Sequence, residues 1–325
     1  MKNLINKILL GLIGITLICL LPFWVGDYYL FLLVLTCLNA YMATSWNIIG
    51  GMGGQLALGH AAFFGLSGYT STFLFQKYGL SPWAGMWIGM VVSALYGALI
   101  GLLCFRYKVR GTYFALVTLA FVEILRIIFV NLKTFGGSEG IVIGLKGHSW
   151  RAFQFESKVP YYFIILLMLA ALVLTIHHFR NTRFISYLRA IREDEEVAQA
   201  LGIDVFKIKF WGLILSACLT SLGGAFYAQY VLYIDPPSMF GLTRSFDMVF
   251  ICIMGGMGTI LGPVLGSVVF SAFMEVTNAI FKGGYGANHL ILYGILLMVV
   301  ILVFPRGLIT LFPTNFHRRK DAVRN

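Results

Sequence analysis

Long apolar segments alternate with short polar ones along most of the chain. The first seven apolar segments run at roughly 5–25, 28–49, 56–76, 82–105, 112–130, 160–179 and 210–233. Each is close to the ~20 residues that an α-helix needs to cross the hydrocarbon core of a bilayer. The pattern therefore predicts an all-α, polytopic membrane protein.

A further apolar region, 246–281, is too long for one span and too short for two full ones. Glycines at 255–258 and a Gly-Pro pair at 262–263 interrupt it. We predict a helix broken at these glycines, which crosses the membrane as two short pieces. A bilayer tolerates such a break only where the unwound backbone is buried in protein or faces a cavity. With a last span at 289–304, the predicted number of spans is ten, and both termini lie on the same side.

The distribution of basic residues supports ten spans. More than twice as many lysines and arginines fall on the side that carries segment 180–209 as on the other side. Cytoplasmic loops have such an excess. Segment 180–209 and both termini are therefore expected in the cytoplasm. A polar connection of about thirty residues, 131–159, is expected to form a small functional surface on the outer side.

Composition narrows the class of protein. Hydrophobic residues make up 59% of the chain and charged residues 11%, against about 45–50% and 25% in soluble domains. The net charge of +11 is spread over inter-span loops without a basic patch carrying interleaved aromatics, so it predicts membrane orientation and no nucleic-acid partner. The five cysteines lie in apolar runs without metal-ligand spacing, so we predict neither disulfides nor a metal site.

Segment 180–209 is a charged island between two apolar spans. Within it, the acidic residues of 193–196 suit the first turn of a helix, because they complement the positive end of its dipole. Gly202 is a natural left-handed stop. These residues predict a helix of about two turns outside the membrane. A helix this short must be held by its own protein or by a partner; the alternative is a solvated loop without a partner.

A glycine pattern occurs twice. Gly-Gly-Met-Gly at 50–53, followed by Leu-Gly at 58–59, recurs at 255–258 and 261–262. Paired glycine-interrupted segments in two halves indicate two pseudo-symmetric repeats and a transporter's substrate site, although close helix packing through small residues explains them equally well. The translocation-path candidates are Gly51, Gly54, Gln55, Gly59, His60, Gly255, Gly256, Gly258 and Gly262.

No motif for catalysis is present. The chain lacks a G-x-x-x-x-G-K-[ST] phosphate loop, a G-x-S-x-G elbow and an H-E-x-x-H pair, so we assign no catalytic residue. Glu123 and Arg126 stand three apart in an apolar segment, where they can form an intramembrane ion pair that fixes helix packing. A direct contact with substrate is the alternative for that pair. His60 is expected to be a structural histidine.

Five segments together resemble the permease subunits of bacterial branched-chain amino-acid ABC importers of the LivM type. They are GGQLALGHAAFFGLSGY ending at Tyr69, RGTYFALVTLAFVEILR (110–126), AIREDEEVAQALGI (190–203), GGMGTILGPVLGS (255–267) and YGILLMVVILVFPRGL (293–308). The resemblance covers almost the whole chain in order. The chain departs from it at Ala57, where Ser is common, and at Phe135, where Thr usually precedes the Gly-Gly pair.

The resemblance implies one transmembrane permease domain, 1–325, in a bacterial inner membrane. It implies two ABC ATPase subunits that carry the ATP and magnesium, a second permease of the LivH type, and a solute-binding protein outside the membrane; this chain itself binds no cofactor. It also implies that 190–203 couples the permease to the ATPase. The coupling candidates are Ala190, Arg192, Glu193, Asp194, Glu195, Glu196, Ala198, Ala200 and Gly202.

Other solutes remain open at this stage. The same architecture can carry urea or amides, other amino acids or a sugar. A remoter alternative is an ion-driven transporter, which would need no ATPase.

Overall fold

The computed structural model describes residues 20–145, 147, 149–280 and 307–311, with isolated positions 294, 298 and 302. Most of the apolar segments predicted from the sequence form helices in this part of the chain. The helices are α1 (Asp27–Asn47), α2 (His60–Tyr78), α3 (Pro82–Arg106), α4 (Gly111–Asn131), α5 (Val159–Phe179), α6 (Arg183–Glu193), α7 (Glu195–Ala200), α8 (Val205–Val231), α9 (Pro236–Met239), α10 (Leu242–Gly255) and α11 (Gly262–Ile280).

Irregular structure is confined to short segments of the described chain. A π-helical turn, Ile48–Met52, continues α1, and 3₁₀ turns lie at Lys133–Phe135, Gly137–Glu139, Trp150–Ala152 and Leu308–Leu311. Two strands of two residues each, β1 (Ile141–Val142) and β2 (Tyr233–Ile234), pair antiparallel. The fold is therefore all-α apart from this small ribbon.

Six stretches of the described helices are long and apolar enough to cross a membrane. They are Asp27–Met52, Pro82–Arg106, Gly111–Asn131, Val159–Phe179, Val205–Val231 and Pro236–Gly255. The protein is thus a polytopic membrane protein, whereas the number of ten spans is not confirmed. The predicted span 289–304, and 5–25 except for its last residues, lie outside the described residues.

Two predicted boundaries need correction. The span predicted at 56–76 begins at His60, since 54–59 has no regular secondary structure. The span predicted at 210–233 begins at Val205, so the end of the predicted loop 180–209 belongs to α8. The predicted break in 246–281 is present, since α10 ends at Gly255 and α11 begins at Gly262.

The helix ends gather at two opposite faces. We call one the α6 face; it holds the π-turn, the α3–α4 turn, helices α6 and α7, and the break between α10 and α11. The opposite one, the β face, holds the start of α1, the α2–α3 turn, the α4–α5 connection and the α8–α10 connection. At the β face, Ser81 Oγ donates to the Arg151 carbonyl at 2.7 Å and Lys158 Nζ to the Asp27 carbonyl at 3.4 Å. The connection 131–159 is thus packed onto the helix ends in its described part.

A stripe of small residues on α3 allows close helix packing. Gly85, Gly89, Ser93, Gly97 and Gly101 recur every fourth residue and therefore share one side of the helix. A β-carbon on Gly85 or Gly89 would lie 2.9 Å from the Cα of Ser71 or Ser67 in α2. Farther along, Gly97 and Gly101 face Ala217 and Phe210 of α8. Small residues of this kind let helix backbones approach closely in membranes, so α2, α3 and α8 form one tightly packed group.

We expect Gly89→Leu to destabilise the protein by about 1–3 kcal/mol, because the new side chain meets the backbone of α2, which cannot move aside. Val91→Leu is the control, since Val91 lies on the same helix and is 54% exposed. Thermal unfolding of both variants in detergent measures the difference. Equal unfolding midpoints would contradict the packing described here.

Candidate functional site

The charged island forms two helices rather than one. Glu193 ends α6, and Asp194 is extended, with φ −158° and ψ 118°. The Asp194 carboxylate accepts hydrogen bonds from the backbone amides of Glu196 at 2.9 Å and Val197 at 3.0 Å. Asp194 is therefore the N-cap of α7. The expectation that Glu193 lies in the first turn of the short helix is wrong, since α7 begins at Glu195.

Gly202 ends α7 as the sequence predicts. Its φ is +84°, a left-handed conformation that glycine adopts without steric cost. The amides of Gly202 and Ile203 donate to the carbonyls of Gln199 and Ala198 at 3.0 and 3.1 Å, which satisfies the last turn of the helix. Asp204 then caps α8 through the Lys207 amide at 3.0 Å, and the side-chain hydrogen bond from Lys207 lowers the pKa of Asp204.

The inner side of α7 is fixed to the helix bundle by charges. Lys209 of α8 is buried, and its Nζ lies 2.6 Å from Glu195 Oε2. Arg110, which precedes α4, lies 3.3 Å from the same carboxylate. Below them Ile191, Ala198 and Val205 form a small apolar cluster, with Ala190 packed at its edge. Glu195 therefore acts within this chain, and it binds α7 to two spanning helices.

The outer side of α7 carries exposed apolar side chains. Val197 is 55% exposed and Leu201 76% exposed, and they are one turn apart on the helix. The Glu196 side chain beside them is 84% exposed, while Glu193 and Ala200 are also exposed. This side offers a small apolar contact with an acidic edge to a partner outside the membrane.

Arg192 joins α6 to the first glycine segment. Its Nη1 donates to the Gly51 carbonyl at 2.6 Å. The Arg192 Cα and Cβ lie so close to Gly54 that a β-carbon there would be 3.1 Å from each. A β-carbon on Gly258 would strike the Arg192 guanidinium. Gly54 and Gly258 therefore make room for this arginine, and Gly51 accepts its hydrogen bond.

Asn47 joins the two glycine segments to each other. Its Oδ1 accepts from the Gly258 amide at 2.9 Å and its Nδ2 donates to the Thr259 carbonyl at 2.8 Å. A β-carbon on Gly51 would lie 2.6 Å from the Gly258 nitrogen. The two repeats of the glycine pattern are thus in direct contact, at the α6 face. They do not lie halfway along the spanning helices.

The irregular segment 54–59 passes into the helix bundle, where side chains bond two of its backbone groups. Trp46 Nε1 donates to the Ala57 carbonyl at 2.7 Å, and the Leu58 amide donates to Thr118 Oγ1 at 3.0 Å. Gly59 packs against Thr118, and Gln55 is buried beside Gly53. An unwound segment at membrane depth requires such internal partners.

His60 lies at the inner end of that segment. It is fully buried, and its Nε2 lies 2.7 Å from Ser216 Oγ, which donates to the Ser45 carbonyl at 2.7 Å. The hydroxyl proton of Ser216 is used by that carbonyl, so His60 Nε2 carries a proton and donates it to Ser216. His60 thus connects α2, α8 and α1 through side chains, as expected of a structural histidine.

The second break is shorter. The Thr259 hydroxyl donates to the Gly256 carbonyl at 2.7 Å and accepts from the Gly262 amide at 3.1 Å. A β-carbon on Gly255 would strike the Gly262 carbonyl, so α10 and α11 meet here backbone to backbone. A β-carbon on Gly307 would lie 2.5 Å from the Gly256 nitrogen, which places residues 307–311 against the same break.

Glu123 and Arg126 form the ion pair expected from their spacing. Arg126 Nε donates to the two carboxylate oxygens of Glu123 at 3.0 and 2.9 Å, and Nη2 donates to Oε1. The two side chains are 35% and 34% exposed. Both residues lie at the edge of the buried side of α4, beside Val122 and Leu125. The side-chain hydrogen bonds given above join the two residues only to each other, so the expectation that the pair fixes helix packing stays a prediction.

The structure therefore brings the sequence candidates together in two groups. Arg192 contacts Gly51, Gly54 and Gly258, whereas buried Gln55 and Gly59 lie in the irregular segment and buried His60 follows it at the start of α2. Sequence reasoning missed the side chains that hold these groups, namely Asn47, Arg110, Thr118, Lys209 and Ser216. Polar residues inside or at the ends of apolar segments were the available signal, because such residues need partners in a membrane.

A bundle of spanning helices with two glycine breaks, tied to a helix pair at one face, is the architecture of a polytopic membrane protein. The chain belongs to the family of branched-chain amino acid transport system permease components, whose family model matches residues 28–301.

Similar proteins carry corresponding names. The high-affinity branched-chain amino acid transport system permease protein LivM of Salmonella typhimurium is 26% identical over 89% of this chain and 71% of its own length. The probable LivM of Methanocaldococcus jannaschii is 23% identical over 91% and 94%. The Escherichia coli permease LivH is 23% identical over 83% and 90%. No solved structure matches the chain significantly.

We expect Glu195→Gln to lower the free energy of unfolding by about 2 kcal/mol, because it leaves the buried Lys209 ammonium without its charged partner. This loss is smaller than that for a fully buried ion pair, because Glu195 is partly exposed. Glu196→Gln is the matched control and should change stability by less than ~0.5 kcal/mol. Thermal unfolding in detergent distinguishes them. Similar losses in both variants would rule out an inward role for Glu195.

We expect Arg192→Ala to abolish the contact between α6 and the Gly51 carbonyl while α6 remains folded, since α6 also packs through Ile185 and Leu188. Glu193→Ala, at the exposed neighbouring position, is the control. Hydrogen exchange at the amides of 50–59 should rise in the arginine variant only, because that segment loses a charge-assisted hydrogen bond. Unchanged exchange would mean that Arg192 does not hold the segment.

Proposed function

We propose that this chain is a permease subunit of an ATP-driven importer of branched-chain amino acids. Its partners are two ATPase subunits, which bind ATP and magnesium, a second related permease, and a solute-binding protein outside the membrane. Family membership supports this proposal, and so do the relatives named LivM and LivH. The chain itself contributes no catalytic residue.

The α6 face is the cytoplasmic face in this proposal, and both termini lie on that side of the inner membrane. The excess of basic residues at this face supports the orientation. Helices α6 and α7 are the contact with an ATPase subunit. The observation that carries this assignment is the two-sided character of α7, whose inner side is bound through Glu195 to Lys209 while Val197 and Leu201 are exposed.

The mechanism follows from the contacts of Arg192. When the ATPase subunits close on ATP, they displace α7, and α6 moves with it because only Asp194 separates the two helices. Arg192 transmits that displacement to the Gly51 carbonyl, and Asn47 passes it to Gly258 and Thr259. The two breaks therefore shift together. Since they hold the ends of α1, α2, α10 and α11, their shift changes the access of the path to either side.

Co-purification tests the assembly. The tagged chain, expressed with the proteins encoded beside it and solubilised gently, should retain an ATPase and a second permease, as identified by mass spectrometry. Reconstituted with the solute-binding protein, the complex should take up leucine, isoleucine or valine in an ATP-dependent manner. Uptake of urea alone would change the assigned solute, and uptake that persists without ATP would favour an ion-driven transporter.

We expect Val197→Asp and Leu201→Asp to reduce ATPase retention by about tenfold or more, because each places a carboxylate in a desolvated apolar contact. Val142→Asp is the control, since Val142 is 72% exposed at the opposite face. Quantitative pull-down measures retention. Full retention in the α7 variants would exclude α7 as the contact surface.

A further inference from the structure

The Glu123–Arg126 pair occupies an unusual position on α4. Glu123 lies 12 residues from Gly111 in a helix of 21 residues, which places it about 18 Å along a helix of about 31 Å. The pair is close to the middle of a spanning helix, and a third of each side chain is exposed. An ion pair at this depth is costly to place against lipid.

At comparable depth, Leu95 of α3 is 67% exposed and Leu167 of α5 is 71% exposed, as expected of helices that face lipid. Helix α4 differs in carrying a partly exposed ion pair beside its exposed apolar side chains. Because an ion pair is costly against lipid, the pair faces protein or water in the assembled transporter. On its buried side, α4 binds segment 54–59 through Thr118, which accepts from the Leu58 amide.

The two charged groups retain hydrogen-bonding capacity. Arg126 uses Nε and Nη2 toward Glu123, and within the described residues no group accepts from Nη1. The free edge of a guanidinium binds a carboxylate in bidentate geometry, and a carboxylate has about four acceptor sites, so Glu123 has room for a further donor. A carboxylate and an ammonium group on one small molecule are complementary to this pair.

Apolar side chains lie near Glu123 on the same side of α4. Ile127, one turn from Glu123, is 51% exposed, and Leu116, about two turns from Glu123 in the other direction, is 56% exposed. An aliphatic side chain can rest on these residues while its charged head group meets Glu123 and Arg126. A short polar site bordered by aliphatic surface is the complement of an amino acid with an aliphatic side chain.

We propose that Glu123 and Arg126 form a substrate contact on the transport path, at which Arg126 binds the α-carboxylate and Glu123 the α-ammonium of a zwitterionic aliphatic amino acid. The proposal rests on the proposed function and names the residues that meet the solute. The site binds substrate weakly, as suits a site that the solute passes through. Without substrate, Glu123 and Arg126 bond to each other; with substrate, each gives up only some of those bonds.

The charge-swapped variant Glu123→Arg/Arg126→Glu tests the proposal. It keeps an ion pair at the same spacing, so a merely structural pair survives the change, whereas oriented contacts with the two ends of a zwitterion do not. The complex with its second permease and ATPase, in proteoliposomes with saturating solute-binding protein and leucine, should lose uptake by about tenfold or more. The conservative variant Arg126→Lys should retain part of the uptake, because it keeps the charge and loses only the bidentate geometry.

Assembly of the complex is measured on the same samples. The experiment therefore distinguishes a failure of the substrate contact from a failure of the proposed function. Normal uptake by an assembled swapped variant overturns the substrate contact and leaves the proposed function intact. A wild-type chain that retains no ATPase overturns the proposed function. Should the swapped variant fail to assemble, Glu123→Gln/Arg126→Gln replaces it: impaired uptake after normal assembly supports the contact, whereas normal uptake, or a second failure to assemble, shows a structural pair and overturns it.

Discussion

Backbone groups freed by a break in a membrane helix must find hydrogen-bond partners inside the protein, and the arrangement of this chain depends on that constraint. Two helical segments unwind at glycines, and side chains from other helices take over the lost bonds. Asn47, Trp46 and Thr118 serve the breaks from within the bundle. Each such bond also fixes the distance between two elements. The hydrogen bonds that satisfy the freed backbone groups therefore also hold the helices together around the breaks.

One of these partners comes from outside the bundle. Arg192 belongs to a helix pair at the α6 face, and its bond to the Gly51 carbonyl spans 141 positions of sequence. The same helix pair is held at a second point by Glu195 and Lys209. With two attachments, α6 and α7 cannot pivot freely on the surface. A force applied to the exposed side of α7 therefore acts on both the first break and the start of α8.

Local patterns in the sequence predict much of this fold. The ends of α3, α4 and α5 lie within one residue of prediction, since charged or Gly/Pro residues flank uniform apolar runs there. The break at Gly255–Gly262 was equally predictable. By contrast, residues 54–59 are as apolar as a helix start, so their irregular conformation could not be distinguished from a helix. That conformation depends on partners such as Thr118, far away in sequence.

In the candidate site, too, the sequence predicts local features but not contacts between distant residues. The sequence indicates a short helix that starts within the acidic residues 193–196 and stops at Gly202, because capping is local; it places the start two residues too early. It does not show that Glu195 points inward and Glu196 outward, since that distinction depends on Lys209 and Arg110. Neither does it show that Gly51 touches Gly258. Repetition of a motif indicates relatedness between two segments, whereas contact between them is a property of the tertiary structure alone.

The small-residue stripe of α3 has a mechanical consequence. Where this stripe meets α2, at Gly85 and Gly89, the two backbones lie so close that few flexible side-chain atoms remain between them to absorb a displacement. Helices α2 and α3 therefore behave as a single stiff body. Helices can then move relative to one another only where the backbone bends, at the two breaks and at the turn at Asp194. Substitutions that loosen the packing of these helices would absorb the displacement before it reaches the breaks, although the substituted residues contact neither solute nor nucleotide.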